Sequence, residues 1–144
     1  MTNMEFLIGK DYPKKVIPLI ENAGISIDIV MYDWRWYGDK PGHTMQQFNN
    51  ALVQAVRRGV RVRAVVNARE HATFLATLGI KARSLRDRRT LHSKLVIIDQ
   101  KTLIIGSHNL TSNAFYRNLE SSVILELPPG GNRILEYFDN LYTI

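Results

Sequence analysis

Short β-branched runs alternate with amphipathic stretches through the first half of this chain and follow one another directly in the second. Ile25 to Tyr32 is dominated by isoleucine and valine and reads as a mostly buried strand. Before it, Tyr12 to Ala23 has helical patterning closed by Gly24, with Pro18 expected to kink or shorten the helix. After a Gly- and Pro-containing loop, Asp33 to Gly42, the stretch Thr44 to Arg58 sets Met45, Phe48, Leu52 and Val56 at helical spacing and stops at Gly59. Val60 to Val66 follows as a second strand, then a short helix from Arg69 to Leu78 closed by Gly79, and an extended piece from Ile80 to Leu85. Leu91 to Ile98 and Leu103 to Gly106 form an expected β-hairpin, followed by a strand from Ser121 to Leu127, a turn at Pro128–Gly131 and a helix from Asn132 to Tyr142. Strands separated by helices and then joined by tight turns predict an α/β fold, a mixed β-sheet with helices on both faces. One domain is expected to span residues 1–144.

A domain of about 150 residues buries roughly 70% of its unfolded surface, so this core needs no staple. The chain has no cysteine, which removes disulfides, thiolate metal sites and a cysteine nucleophile from consideration. It shows no secretory leader and no apolar run approaching the roughly 18 residues of a membrane span. The expectation is a soluble, cytoplasmic protein without a stable membrane anchor.

The net charge of +6 is unevenly placed. Between Arg57 and Lys94 there are 11 Lys and Arg against 2 acids, a local +9 that leaves −3 for the rest. Such a segment points to a polyanion, nucleic acid or an anionic membrane surface; a solvated charged face is the plain alternative. Arg61, Arg63, Arg83, Arg86, Arg88 and Arg89 are the candidate nucleic-acid contacts. Trp34, Arg35 and Trp36 join them from a loop that follows a strand end, where aromatics could stack on bases, enter a lipid interface or pack in a dimer.

The hairpin carries the chemistry. Residues two apart on a strand project from one face, so His92 and Lys94 point together, as do Ser107 and Asn109. With Gln100 and Lys101 as the turn, Asp99 faces Thr102, His92 sits opposite Asn109 and Lys94 opposite Ser107. An imidazole, an ammonium, a hydroxyl and a carboxamide on one face suit a phosphate: donors for its oxygens and a ring that can attack or shuttle protons.

His92-x-Lys94-x4-Asp99-x6-Gly106-Ser107, with Asn109, Thr111 and the Asn118-x-Glu120 pair downstream, resembles the HKD motif of the phospholipase D superfamily. Tyr32 at a strand end and Arg57-Arg58-Gly59 before Val60 also resemble that family, so the likeness covers nearly the whole chain. Most such enzymes carry two motifs in one polypeptide. A single motif resembles the small bacterial endonucleases and the single-motif mitochondrial branch.

The resemblance implies a phosphodiesterase in which one histidine attacks phosphorus and a second protonates the leaving oxygen and later activates water, without cofactor or metal. It implies that His92 is nucleophile or general acid, that Lys94 and Asn109 bind the phosphate, and that Ser107 supports phosphate binding or the hairpin. Glu120 is implied to hydrogen-bond the far nitrogen of His92. Asp99 is the D of the motif and enters with the catalytic set, but the hairpin turn places it far from His92, and a structural role is expected. His43, His71 and His108 are expected in structural roles. One motif per chain implies a homodimer whose two-fold axis brings both His92 side chains to a composite site. The favoured function is a metal-independent endonuclease acting on DNA or RNA. The alternatives are a phospholipase D-type hydrolase of lipid head groups and a non-catalytic nucleic-acid-binding module or fragment of a larger nuclease.

Overall fold

The computed structural model describes residues 3–130 and 132–144; Gly131 of the expected turn and residues 1 and 2 lie outside the described residues. The elements run β1 (Met4–Ile8), α1 (Asp11–Glu21), β2 (Ser26–Met31), α2 (Thr44–Arg57), β3 (Arg61–Val66), α3 (Arg69–Thr77) and β4 (Lys81–Ser84). They continue as β5 (Leu95–Ile98), β6 (Thr102–Gly106), α4 (Ser112–Tyr116), β7 (Ser121–Glu126) and α5 (Arg133–Thr143). The sheet order is β1-β7-β6-β5-β2-β3-β4. β2, β3 and β4 are parallel and joined by α2 and α3, while β5, β6, β7 and β1 pair antiparallel. This is the mixed α/β sheet that the element order predicted.

Alternation along the central strands builds two cores. Ile27, Ile29 and Met31 of β2, with Val62 and Ala64 of β3, pack under the helices of one face together with Phe48, Leu52 and Phe115. Val30, Val65, Leu95 and Ile97 face the other way and are covered by α5, whose Phe138 is fully buried. Helices therefore lie on both faces.

Asp28 shares the α5 face but is charged, and its partner stands beside it in the sheet. The register sets Asp28 opposite Arg63, whose guanidinium donates to the carboxylate at 2.8 and 3.1 Å. The same guanidinium lies 4.8 Å from the Phe138 ring centre and 5.1 Å from that of Tyr142. One arginine thus neutralises a buried acid and seats α5 on the sheet.

The hairpin register differs from expectation by one residue. Ile98 pairs with Thr102 and Leu95 with Ile105, so Asp99, Gln100 and Lys101 form a three-residue loop. Asp99 and Gln100 both take positive φ, 54° and 55°, which bends the chain before Asp99 can enter the ladder. The Asp99 carboxylate is engaged elsewhere: it accepts from the backbone N–H groups of Gly24, Ile25 and Ser26 at 3.1, 2.7 and 3.0 Å. Gly24 consequently anchors the turn, and α1 ends two residues earlier at its Asn22 cap, with Pro18 retained inside the helix.

β1 and α4 were not anticipated. β1 is an edge strand of five residues, MEFLI, with apolar residues on both faces but burying only Leu7, so it shows no alternation that would mark a strand. α4 spans five residues, too few to show a helical period; Thr111 caps it by accepting from the Ala114 N–H at 3.1 Å.

Candidate active site

The chemically informative side chains gather where β2 and β3 end and β5 begins. Residues 91–94 extend back from β5 outside the sheet ladder, passing Tyr32 at the exit of β2. Their side chains still alternate. Ser93 turns to α5 and shares a 2.6 Å hydrogen bond with the Tyr137 hydroxyl, so His92 and Lys94 face the opposite side together. The His92 ring lies 4.7 Å from the Tyr32 ring, centre to centre, and Lys94 Nζ is 5.3 Å from the same ring. Lys94 Nζ donates to the His92 carbonyl at 2.8 Å and lies 3.0 and 3.4 Å from the two nitrogens of its ring. Partial burial lowers the Lys94 pKa and the Glu120 charge opposes that shift, so Glu120 acts on the same locus.

Glu120 is held by the far half of the sheet. Its Oε1 accepts from Ser107 Oγ at 2.6 Å and its Oε2 from Asn118 Nδ2 at 3.1 Å, while its backbone carbonyl receives the Gly9 N–H at 3.0 Å. Ser107 Oγ also accepts from the Ser121 N–H at 3.0 Å. The expected Glu120–His92 hydrogen bond is not formed. Ser107 and Asn118 occupy the carboxylate, and the His92 ring rests against its own Lys94. Gly106 permits this arrangement, because a Cβ there would collide with Ser122 Cα and the Ser121 carbonyl.

Asn109 lies on the continuation of β6 and accepts from the Asp33 N–H at 3.0 Å through Oδ1; its Nδ2 donates no hydrogen bond among the described residues. The sheet end therefore brings His92, Lys94, Ser107, Asn109 and Glu120 together, although the one-residue shift removes the direct cross-strand pairing of His92 with Asn109 and Lys94 with Ser107. Asp99 sits at the opposite end of β5. Desolvation raises its pKa, but three backbone N–H groups and Lys101 lower it further, for a net depression.

His43 and His108 are hydrogen-bonded into the framework, whereas the buried Nε2 of His71 has no hydrogen-bond partner among the described residues. His43 Nδ1 accepts from the Met45 N–H at the start of α2, and His71 packs edge-on to Trp34 with its pKa lowered by burial. His108 is buried beneath Glu120. Its Nε2 donates to the Gly9 carbonyl at 2.9 Å, its Nδ1 lies 2.8 Å from Ser122 Oγ, and its ring stacks on Tyr12. It clamps the β1 exit against β6 and β7, which steadies Glu120.

The candidate nucleic-acid contacts do not share one surface. Arg61 pairs with Ser26 at the far end of the sheet. Arg63 is committed to Asp28 and α5. Trp34 is 6% exposed and its Nε1 donates to Asn49 Oδ1 at 2.8 Å, so it belongs to the core and cannot stack on a base. Trp36 is half-buried against Phe74. Arg35 is exposed but paired with Asp33, and Arg89 with Asp87. Arg83, Arg86 and Arg88 remain exposed and without an ion pair among the described residues. The +9 segment is therefore not one face.

No group of three His, Asp or Glu able to hold a metal ion occurs among the described residues, and no described helix is long and apolar enough to cross a membrane. The family described as cardiolipin synthase, PLD-like domain, matches residues 16–142. The chain belongs to the phospholipase D superfamily. Human mitochondrial cardiolipin hydrolase is 32% identical to this phospholipase D-family chain over 140 residues, covering 93% of the chain and 52% of that relative. Cardiolipin synthase B of Escherichia coli K12 is 33% identical over 96 residues, covering 59% of the chain and 22% of the relative. The chain spans about half the length of the mitochondrial relatives it matches. In fold it is similar to the phospholipase D family member Nuc from Salmonella typhimurium, with a TM-score of 0.83 at 23% identity over 99% of this chain and 95% of that one. NucT from Helicobacter pylori has a TM-score of 0.80 at 17% identity, covering 99% and 97%.

Proposed function

We propose that this phospholipase D-family phosphodiesterase is an endonuclease that cleaves DNA or RNA without a metal, through a phosphohistidine on His92, at a site shared by two copies of the chain. The carrying observation is the His92–Lys94 pair beside Tyr32, with Asn109 Nδ2 and Glu120 at the same sheet end. A phosphodiester oxygen is a better partner for an ammonium than a neutral imidazole, so the substrate draws Lys94 from His92 and frees the ring. The imidazole lone pair attacks phosphorus to form a P–N bond. As the P–O bond to the leaving group breaks, His92 of the partner subunit gives that oxygen a proton. Water then attacks phosphorus, losing a proton to the same partner histidine, and the P–N bond breaks. Lys94 and Asn109 stabilise the charge gathered on the nonbridging oxygens. Ser107 and Asn118 hold Glu120 where its charge acts on Lys94.

An uncovered sheet face supports the second copy. Met4, Phe6 and Ile8 are more than half exposed and lie on the face shared with Leu125, Val123 and Ser121, beyond the reach of α5. This apolar strip ends beside Glu120, next to fully exposed Leu119. Isologous pairing across it would bury the strip and bring the two sites together. Nucleic acid is favoured over lipid by exposed Arg83, Arg86 and Arg88 in the segment that leads into His92. A second reading, hydrolysis of an anionic phospholipid, is favoured by the relatives named cardiolipin hydrolase.

Turnover in EDTA, with plasmid DNA, single-stranded DNA, RNA and cardiolipin vesicles offered in parallel, separates these readings. Cleavage of nucleic acid is expected, falling by at least about 10²–10⁴-fold in His92→Ala. Hydrolysis of cardiolipin alone would establish the lipid reading, and loss of nuclease activity in EDTA would sink the two-histidine chemistry.

A further inference from the structure

A groove of about 860 Å³ runs between α3 and β4, lined on its polar side by Asn67, Arg69, Thr73, Arg83, Ser84 and Arg86. No acidic side chain lines it, although Ile144, whose α-carboxylate ends the sequence, borders it; none of the groove's three arginines forms an ion pair among the described residues. The nearby Arg63 and Arg89 contrast with them, since each is neutralised by an aspartate. Arg83 is held in place without losing charge, because its guanidinium lies 4.7 Å from the Tyr142 ring centre.

The groove connects to the active site. β4 is parallel to β3 and β2, so its Ser84 end opens at the catalytic end of the sheet. Asn67 lines both this groove and a neighbouring cavity of about 410 Å³ bordered by Tyr32, the residue against which His92 packs. Asn67 Oδ1 also accepts from the Leu91 N–H at 3.3 Å, one residue before His92. From β5 to β4 is three strand spacings, about 14 Å.

We propose that this groove is a second phosphate-binding subsite, holding the backbone of a nucleic-acid strand a few nucleotides from the phosphate attacked by His92. The proposal rests on the nuclease reading. Arg83, seated over Tyr142 at the edge strand, together with Arg69 and Arg86 offers the forked donors that phosphate oxygens take. Ala72 and Ala76 on the α3 side and Ala82 on β4 leave room for a chain to pass. The 410 Å³ cavity lies between the two phosphates, where the intervening nucleosides would run.

The test compares kcat/KM and its salt dependence for a dinucleotide, too short to reach the groove, and for a single-stranded oligonucleotide of about 12 nucleotides, a common footprint. The variant is Arg69→Gln/Arg83→Gln/Arg86→Gln. KM for the oligonucleotide is expected to rise about tenfold and the salt slope to fall by about 2, at roughly 0.7 per phosphate on a single strand. Hydrolysis of the dinucleotide should not change, which also verifies folding. If the triple variant does not fold, Arg83→Gln alone should lower the slope by about 0.7. Unchanged KM and slope in a variant whose parent cleaves the oligonucleotide would overturn the subsite and leave the nuclease reading intact. Equal losses on both substrates would also overturn it. A parent that hydrolyses only cardiolipin vesicles would remove the nuclease reading itself.

Discussion

His92 and Asp99 belong to one sequence motif and work at opposite ends of a strand. Asp99 accepts three backbone N–H groups from the loop that opens β2, and its left-handed backbone makes the hairpin loop. Its expected role is stability. Asp99→Ala should lower the unfolding free energy by about 1–2 kcal/mol, a modest value because the carboxylate is half-exposed, and leave turnover unchanged wherever the variant is folded. The pKa of Asp99 is lowered in the folded chain, so its contribution is complete above the ordinary carboxylate range. It is lost as the pH falls through the folded value. Urea unfolding of parent and variant across the acid range checks this: the gap between them should close as pH falls. Position along the turn made this role legible in the sequence. The placement of Glu120 was not, because Ser107 and Asn118 compete for its carboxylate and only the folded sheet end decides which partner it meets. Tyr137, which fixes the direction of Ser93 from 44 residues away, follows no spacing rule at all.

At the scale of elements, period and punctuation located the helices and strands of the parallel half well. They failed where the element is only five residues long, as in β1 and α4, too short to establish a period. The hairpin register was missed for a physical reason: a two-residue and a three-residue loop read alike until one knows that the Asp99 carboxylate is required by Gly24, Ile25 and Ser26. Arg63 shows the same limit for charge, since a basic residue alternating with valines reads as a surface contact unless its cross-strand neighbour is known to be a buried aspartate. The Arg63 and Asp28 side chains are 16% and 2% exposed, so removing the cation strands a buried carboxylate and loosens α5. Arg63→Gln should cost about 3 kcal/mol in chemical denaturation. The KM for nucleic acid should stay at the parental value, because this arginine is turned from solvent. A raised KM with unchanged stability would return it to the binding surface.

At the scale of the whole molecule, the sequence showed a basic chain with one histidine motif, and both facts change meaning once folded. The basic segment divides into framework arginines, a far-end group around Arg58 and Arg61, and an uncompensated set beside the groove. The single motif supplies one nucleophile; His43 and His108 are hydrogen-bonded into the framework, and His71 packs edge-on to Trp34. The exposed strip of Met4, Phe6 and Ile8 beside Glu120 is where a second copy would complete the site. Dilution of active chains by inactive ones tests this central claim most directly. Parent and His92→Ala chains are co-refolded in varied ratio at constant total concentration, and phosphodiesterase activity in EDTA is measured. A site needing His92 from both copies makes activity fall as the square of the parental fraction. A fall in direct proportion to that fraction would mean that each chain carries a complete site, and would contradict the account.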